Sequence, residues 1–452
     1  MAIHGHTRIT LCDSQGNKEI IEKDNIITDL VANILGSNFS GALDYATILP
    51  LLKEFNGCLL YNSPRTEVSA SDVLVPKGAT VTAHAGDEAY TGLDTTCGTP
   101  NELESGYVTN GYRWVWDWAT SNGNGVINAV SLTRGTMGLV GRNEVDPKYP
   151  SMFPLSKMEL NVPEARSLFF KCALFDWDSN RAFEIGISGM ELTINVFGFG
   201  GAVVSLYDDL TYDTNKIVKT YKFTLTTKPS SYYSVQYAEN KIYLCFTKSA
   251  TSVQVDTIDL ANNTITEVSH TFAGTSFKTS YYDNSPMYSW RVNMLPIVKG
   301  YIYIPRSNDF GIYKCSLSNA ADVAELPSRL EHRPYILSSE TRDSVTSFSF
   351  GCTILENDNL VYGSCAVVND VLVPTKPFND SYMGTYNTLY DGGVKLRNGV
   401  YLVTSSPRRS VTRSGLICLA MDSISTINIL PQAVVKDASR TMKLEYTITV
   451  EG

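Results

Sequence analysis

The sequence predicts a mainly β chain: a β-rich base domain with one or two helices, and a β-propeller-like domain inserted into it. Three observations point there. Two segments far apart, 113–119 and 443–451, alternate apolar and polar residues with the period of two that puts successive side chains on opposite faces of a strand. Between them, over 155–430, short strands and polar turns recur at intervals of about 40 to 60 residues, a spacing that suits blades of a propeller. Hydrophobic residues make up 43% and charged residues 18%, too apolar for disorder, and no apolar run approaches the ~20 residues of a membrane-spanning helix.

The elements follow in order. A strand over 7–12 leads to a turn at 13–17. Ile26, Ile27, Leu30, Val31, Ile34 and Leu35 then recur at helical spacing, with Asp24 or Asn25 able to cap the start and Gly36 the end. A second helical pattern over 42–55 is interrupted by Pro50. Residues 61–110, rich in Thr, Gly, Ser and Pro, read as surface loops. Trp114, Trp116 and Trp118 then share one strand face, and Asn122-Gly123 and Asn124-Gly125 predict a tight hairpin with 126–133 returning beside the tryptophans. At the far end Leu444, Tyr446, Ile448 and Val450 share a face opposite Lys443, Glu445, Thr447 and Thr449.

Within 155–430 one recurring strand follows Asn or Gly and carries Tyr or Val: Asn240-Lys241-Ile242-Tyr243, Gly300-Tyr301-Ile302-Tyr303, Asn359-Leu360-Val361-Tyr362 and Gly399-Val400-Tyr401. A second recurs at 206–218, 257–266, 311–317 and 415–422. The change of pattern after Pro431 assigns 1–150 and 431–452 to the base and 155–430 to the inserted domain, with an irregular β-sandwich as the alternative architecture.

Chemistry-bearing motifs are sparse. The nine cysteines are odd in number and lack C-x-x-C spacing, so they read as buried thiols. Asp176-Trp177-Asp178-Ser179-Asn180 begins like a calcium loop, but Arg181 replaces the glycine and Ile187 the bidentate glutamate, leaving a solvated turn. Ser307-Asn308-Asp309-Phe310-Gly311 resembles the first half of the Asp-box turn of sialidase-like propellers. His4 and His6 share a strand face without a third ligand nearby. No catalytic residue, metal or cofactor is expected. The net charge of −9 argues against nonspecific nucleic-acid binding. Binding candidates are aromatic and cationic: Tyr232, Tyr233, Tyr281, Tyr282, Tyr288 and Trp290 can stack on sugars, and Arg408, Arg409 and Arg413 can recognise phosphate. Trp114, Trp116, Trp118, Leu444 and Tyr446 are the assembly and core candidates.

The stretch Asp259-Leu260-Ala261-Asn262-Asn263-Thr264 between two strands resembles the outer hairpin of Kelch-type blades, without their double glycine and tryptophan. The helix start at Asp24-Asn25, the tryptophan hairpin and the strand Thr441-Met442-Lys443-Leu444-Glu445-Tyr446-Thr447-Ile448-Thr449 together resemble tail-tip, baseplate or fibre proteins of bacteriophages or phage-derived particles. That resemblance implies a non-enzymatic virion protein, made in the host cytoplasm. It would form a homotrimer, contact other tail proteins through its base, and present the inserted domain to a cell-surface glycan or teichoic acid, with no nucleic-acid or membrane partner. A propeller glycoside hydrolase or depolymerase on the same particle, and a bacterial surface adhesin, are the alternatives.

Overall fold

The computed structural model describes residues 2–29, 56–87, 94–133, 152–159, 174–176, 179–198, 213–229, 233–277, 294–307, 311–328, 352–355, 357–361, 365–374, 394–397, 400–405, 415–421 and 426–451, with residues 172 and 279. The chain is mainly β and divides into two compact units. One comprises Met1–Phe153, Asn398–Val400 and Ala420–Gly452, the other Pro154–Arg397 and Tyr401–Leu419.

The first unit begins with β1 (Ala2–Asp13), β2 (Lys18–Ile27), β3 (Gly57–Asn62), β4 (Thr80–Ala85), β5 (Thr99–Pro100), β6 (Gly106–Val108), β7 (Gly111–Trp118) and β8 (Gly125–Thr133). The second supplies β9 (Met152–Glu159), β10 (Leu174–Asp176), β11 (Arg181–Ser188), β12 (Glu191–Gly198), β13 (Ile217–Thr224), β14 (Ser234–Ala238), β15 (Lys241–Ser249), β16 (Ser252–Asp259) and β17 (Thr264–Thr271). It continues with β18 (Ile297–Val298), β19 (Tyr301–Pro305), β20 (Ile312–Ser316), β21 (Val323–Glu325), β22 (Thr353–Ile354), β23 (Leu360–Val361), β24 (Cys365–Val368), β25 (Val371–Pro374), β26 (Val394–Arg397), β27 (Val400–Ser405) and β28 (Gly415–Met421). β29 (Thr426–Lys436) and β30 (Arg440–Glu451) return to the first unit.

The first unit is one ten-stranded sheet in the order β4-β3-β8-β29-β2-β1-β30-β7-β5, with β6 also on β7. A parallel bridge between His84 and Cys97 brings the two ends together into a nearly closed barrel. The alternation in β7 and β30 is what fills it. Their register sets Trp118 opposite Met442, Trp116 opposite Leu444 and Trp114 opposite Tyr446, while β1 adds Leu11, Ile9 and Thr7 to the same rows. All nine side chains are buried. The Trp116 indole donates to Gly86 O at 2.8 Å and the Trp118 indole to Thr96 O at 3.2 Å, so neither buried N–H is left unpaired.

Several sequence expectations need correction. β8 does not pair with β7; it lies between β3 and β29. Gly123, at φ 67°, does adopt the left-handed conformation, but the turn passes the chain to another part of the sheet because β30 has taken the edge of β7. The buried Lys436 ammonium fixes that turn by donating to Thr120 O at 3.1 Å and Asn124 Oδ1 at 2.8 Å. Asp24, Asn25, Ile26 and Ile27 are strand residues, with Asp24 and Asn25 opposite His6 and Gly5. Helical conformation starts only at Asp29, and the rest of both helix segments lies outside the described residues. Residues 61–110 are not simply loop: they include β4, β5 and β6.

Among the described residues the second unit shows five four-stranded sheets: β10-β11-β12-β13, β14-β15-β16-β17, β18-β19-β20-β21, β22-β23-β24-β25 and β26-β27-β28-β9. The last takes its fourth strand from the beginning of the unit. Consecutive sheets share cores. Phe183, Ile194 and Phe223 pack with Leu244 and Ile258; Val253 and Phe272 with Ile302 and Ile304; Tyr303 and Ile312 with Leu360 and Leu372. Where β14 meets β18, side chains replace a strand ladder. The Gln236 amide donates to Ile297 O and accepts from Ile297 N, both at 2.7 Å, and Ser234 Oγ accepts from Leu295 N at 3.0 Å.

Two substitutions test these contacts. Trp116→Ala is expected to cost about 3–5 kcal/mol, as for other buried aromatics, measured by denaturant unfolding against the exposed control Leu103→Ala. Gln236→Ala leaves the part-buried N–H and C=O of Ile297 without their side-chain partner and is expected to lower stability by about 1–3 kcal/mol.

Candidate functional site

A four-stranded antiparallel meander has two distinct ends. Its first-to-second and third-to-fourth turns fall at one end. Its second-to-third turn and the segments leading to and from neighbouring sheets fall at the other. At the turn end, Glu239-Asn240, Lys299-Gly300 and Asn369-Asp370 each carry two successive residues with positive φ, between 48° and 78°. These are two-residue turns whose twist suits a hairpin. The recurring Asn or Gly before a strand is therefore the closing residue of such a turn at Asn240 and Gly300.

Charged and phenolic groups at the turn end are used between sheets. Asp176, nearly buried at the end of β10, accepts from Arg181 Nη2 at 2.7 Å, from Tyr237 Oη on β14 at 2.8 Å, and from Ser179 N at 3.2 Å. Burial acts to raise the Asp176 pKa, but Arg181, Tyr237 and Ser179 together hold it below the ordinary carboxylate value. Burial and the carboxylate push Tyr237 up to about 12. The aspartate that opens the calcium-like stretch thus holds a guanidinium; Trp177 and Asp178 lie outside the described residues. A second cluster repeats the pattern: Lys314 Nζ donates to Asp370 Oδ2 at 2.8 Å and Tyr303 Oη to Asp370 Oδ1 at 3.2 Å, while Lys299 pairs with Asp358. Both clusters are clasps joining neighbouring sheets.

The binding candidates belong to segments that the described strands flank at the connection end. Tyr232 and Tyr233 lie between β13 and β14, Tyr281, Tyr282, Tyr288 and Trp290 between β17 and β18, and Arg408, Arg409 and Arg413 between β27 and β28. The described strand ends flanking all three segments belong to the connection end of their sheets. Tyr233 is half-buried against the core shared by the first two sheets; the other eight lie outside the described residues. Arg306, not among the candidates read from the sequence, lies at the end of β19, on the connection end of its sheet. Its guanidinium lies 5.5 Å from the Tyr313 ring centre and pairs with the half-exposed Glu325. Next to it, Ser276 Oγ and Ser307 Oγ share a hydrogen bond at 2.5 Å. The only signal for Arg306 in the sequence is its place two residues before the Asp-box-like Asn308.

One carboxylate among the described residues has its pKa raised. Asp256 is pushed to about 6, chiefly by burial, with Glu267 adding to the shift. It is fully buried, so it does not present a carboxyl group to a substrate at the surface. Cys58, Cys97, Cys172, Cys245, Cys315 and Cys352 are buried free thiols. Burial raises the pKa of Cys58, Cys97, Cys172, Cys245 and Cys315, which disfavours the reactive thiolate. Among the described residues no group of three His, Cys, Asp or Glu side chains is placed to hold a metal. His4 is exposed, and His6 Nδ1 lies 3.1 Å from Asp24. No described helix is long and apolar enough to cross a membrane.

No family model matches the chain, and no curated protein matches it. Among solved structures, apo AztD from Citrobacter koseri aligns over 90% of both chains at 10% identity with a TM-score of 0.21. A second structure of Citrobacter koseri AztD covers 93% of this chain and 97% of that one at 10% identity and a TM-score of 0.20. Similarity at that level carries no argument here.

The Asp176 clasp is directly testable. Tyr237→Phe removes one hydrogen bond to a charged acceptor and is expected to cost about 1.5–3 kcal/mol in chemical unfolding. Unchanged stability would show that the phenol carries no net load.

Proposed function

We propose that the second unit is a five-bladed β-propeller and that the chain is a structural protein of a phage tail tip, baseplate or fibre, binding the bacterial surface through the connection end. The observation that carries the reading is that the described strands flanking all three candidate segments meet them at the connection end of their sheets, the end where Arg306 lies over Tyr313. Binding residues tend to sit on connections displayed by a rigid scaffold. The propeller reading draws support from the shared cores of consecutive sheets and from β9, which supplies a strand to the last sheet as a ring closure requires. The base unit, tied by both chain ends, is the anchoring part, assembling as a homotrimer with other tail proteins. The ligand is a cell-wall glycan or teichoic acid, whose sugar faces and phosphates match tyrosine and arginine.

Particles lacking residues 155–430 are expected to incorporate the base unit and lose adsorption to host cells. Purified full-length protein is expected to bind cell walls without releasing soluble saccharide. Released fragments would favour the depolymerase reading, and normal adsorption by the deletion particle would refute receptor binding by this unit.

A further inference from the structure

β16 carries a polar line into the interior of its sheet. Lys248 Nζ on β15 donates to Ser269 Oγ on β17 at 3.0 Å, Ser269 Oγ donates to Gln254 Oε1 at 2.5 Å, and Gln254 Nε2 donates to Asp256 Oδ1 at 2.7 Å. The chain of donors runs from an exposed amine to a fully buried carboxyl. The other carboxyl oxygen, Oδ2, has no hydrogen-bond partner. Such an oxygen is tolerable on a neutral acid and expensive on a carboxylate, because water is absent to solvate the charge.

Glu267 stands directly opposite Asp256 in the register of β16 and β17. Side chains so paired lie about 5 Å apart, and like charges there repel. Glu267 is stabilised as an anion by Thr226, whose backbone N–H reaches both carboxylate oxygens at 2.9 and 3.0 Å and whose hydroxyl donates to Oε2. Among the described residues, the ionisable groups coupled to Asp256 are Glu267 on β17 and Lys248 and Cys245 on β15. β17 is the outermost strand of its sheet and mostly exposed, so it is the element able to yield.

We propose that Asp256 is a proton-operated latch on β17: neutral, it lets β17 close against β16, and ionised, it loosens that outer strand. Burial holds the acid protonated in the closed sheet at a pH where an exposed aspartate has already ionised. The raised value places the latch's strength below about pH 4. It is lost as the pH climbs towards 6 and constant above that.

Amide hydrogen exchange over residues 264–271, corrected for intrinsic rates, tests this in the full chain between pH 4 and 7. Wild-type opening is expected to grow by about tenfold per pH unit between pH 4 and 6, and then level off. Asp256→Asn is expected to abolish the dependence. Glu267→Gln, altering a more exposed group, is expected to move the plateau to lower pH and keeps the test decisive if the first variant does not fold. A flat wild-type profile, or a Glu267→Gln profile identical to wild type, would overturn the proposal.

Discussion

β30 lies between β1 and β7, and the core of the base unit depends on that placement. It is paired along its length on one side with β1 and over eight residues on the other with β7. Each of its inward side chains Met442, Leu444 and Tyr446 completes a row that also contains a tryptophan. Remove the strand and the tryptophan face loses its lateral neighbours, while β1 and β7 are left with open edges. An open apolar edge is a template for aggregation, so this one strand supplies both packing and protection.

That pairing joins residues more than 400 positions apart, as between Thr7 and Tyr446. Loop closure cost rises only slowly with length, so a large intervening unit is thermodynamically tolerable when it folds on its own cores. The kinetic consequence is heavier, because a non-local ladder must wait for its partner. The second unit is built differently. Four of its described sheets are meanders of sequence neighbours, and the fifth takes β9 from the start of the unit. Gln236, Asp176 and Asp370 cross-link neighbouring sheets, and the local ladders can form before β30 arrives.

How much of this was legible in the sequence depends on whether local pattern met local structure. Trp114, Trp116 and Trp118 announced their face because one side of β7 is core; so did Leu444, Tyr446 and Ile448. Asn240 and Gly300 marked turns because positive φ selects them. Ile26 and Ile27 misled, since a few apolar residues satisfy helical and strand spacing alike, and their pairing with Ile427 and Thr426 of β29 decided between them. Asn122-Gly123 signalled a positive φ correctly, but which strand would lie beside β7 was a non-local matter. Two of the three segments behind the likeness to tail proteins therefore fold otherwise than their local pattern suggests, while the C-terminal strand keeps its alternation. Gln236 gave no signal, because its role comes from Ile297, sixty-one residues on, and Asp256 gave none, because its burial depends on how the strands pack.

The last strand completes the base core. Truncation after Asp437 removes β30 and exposes that dependence through tryptophan fluorescence and acrylamide quenching. A red-shifted emission and a marked rise in quencher access relative to the intact chain are expected, as Trp114, Trp116 and Trp118 lose their cover. Unchanged emission and quenching would contradict this role of the strand, since the tryptophan face would then be buried without β30.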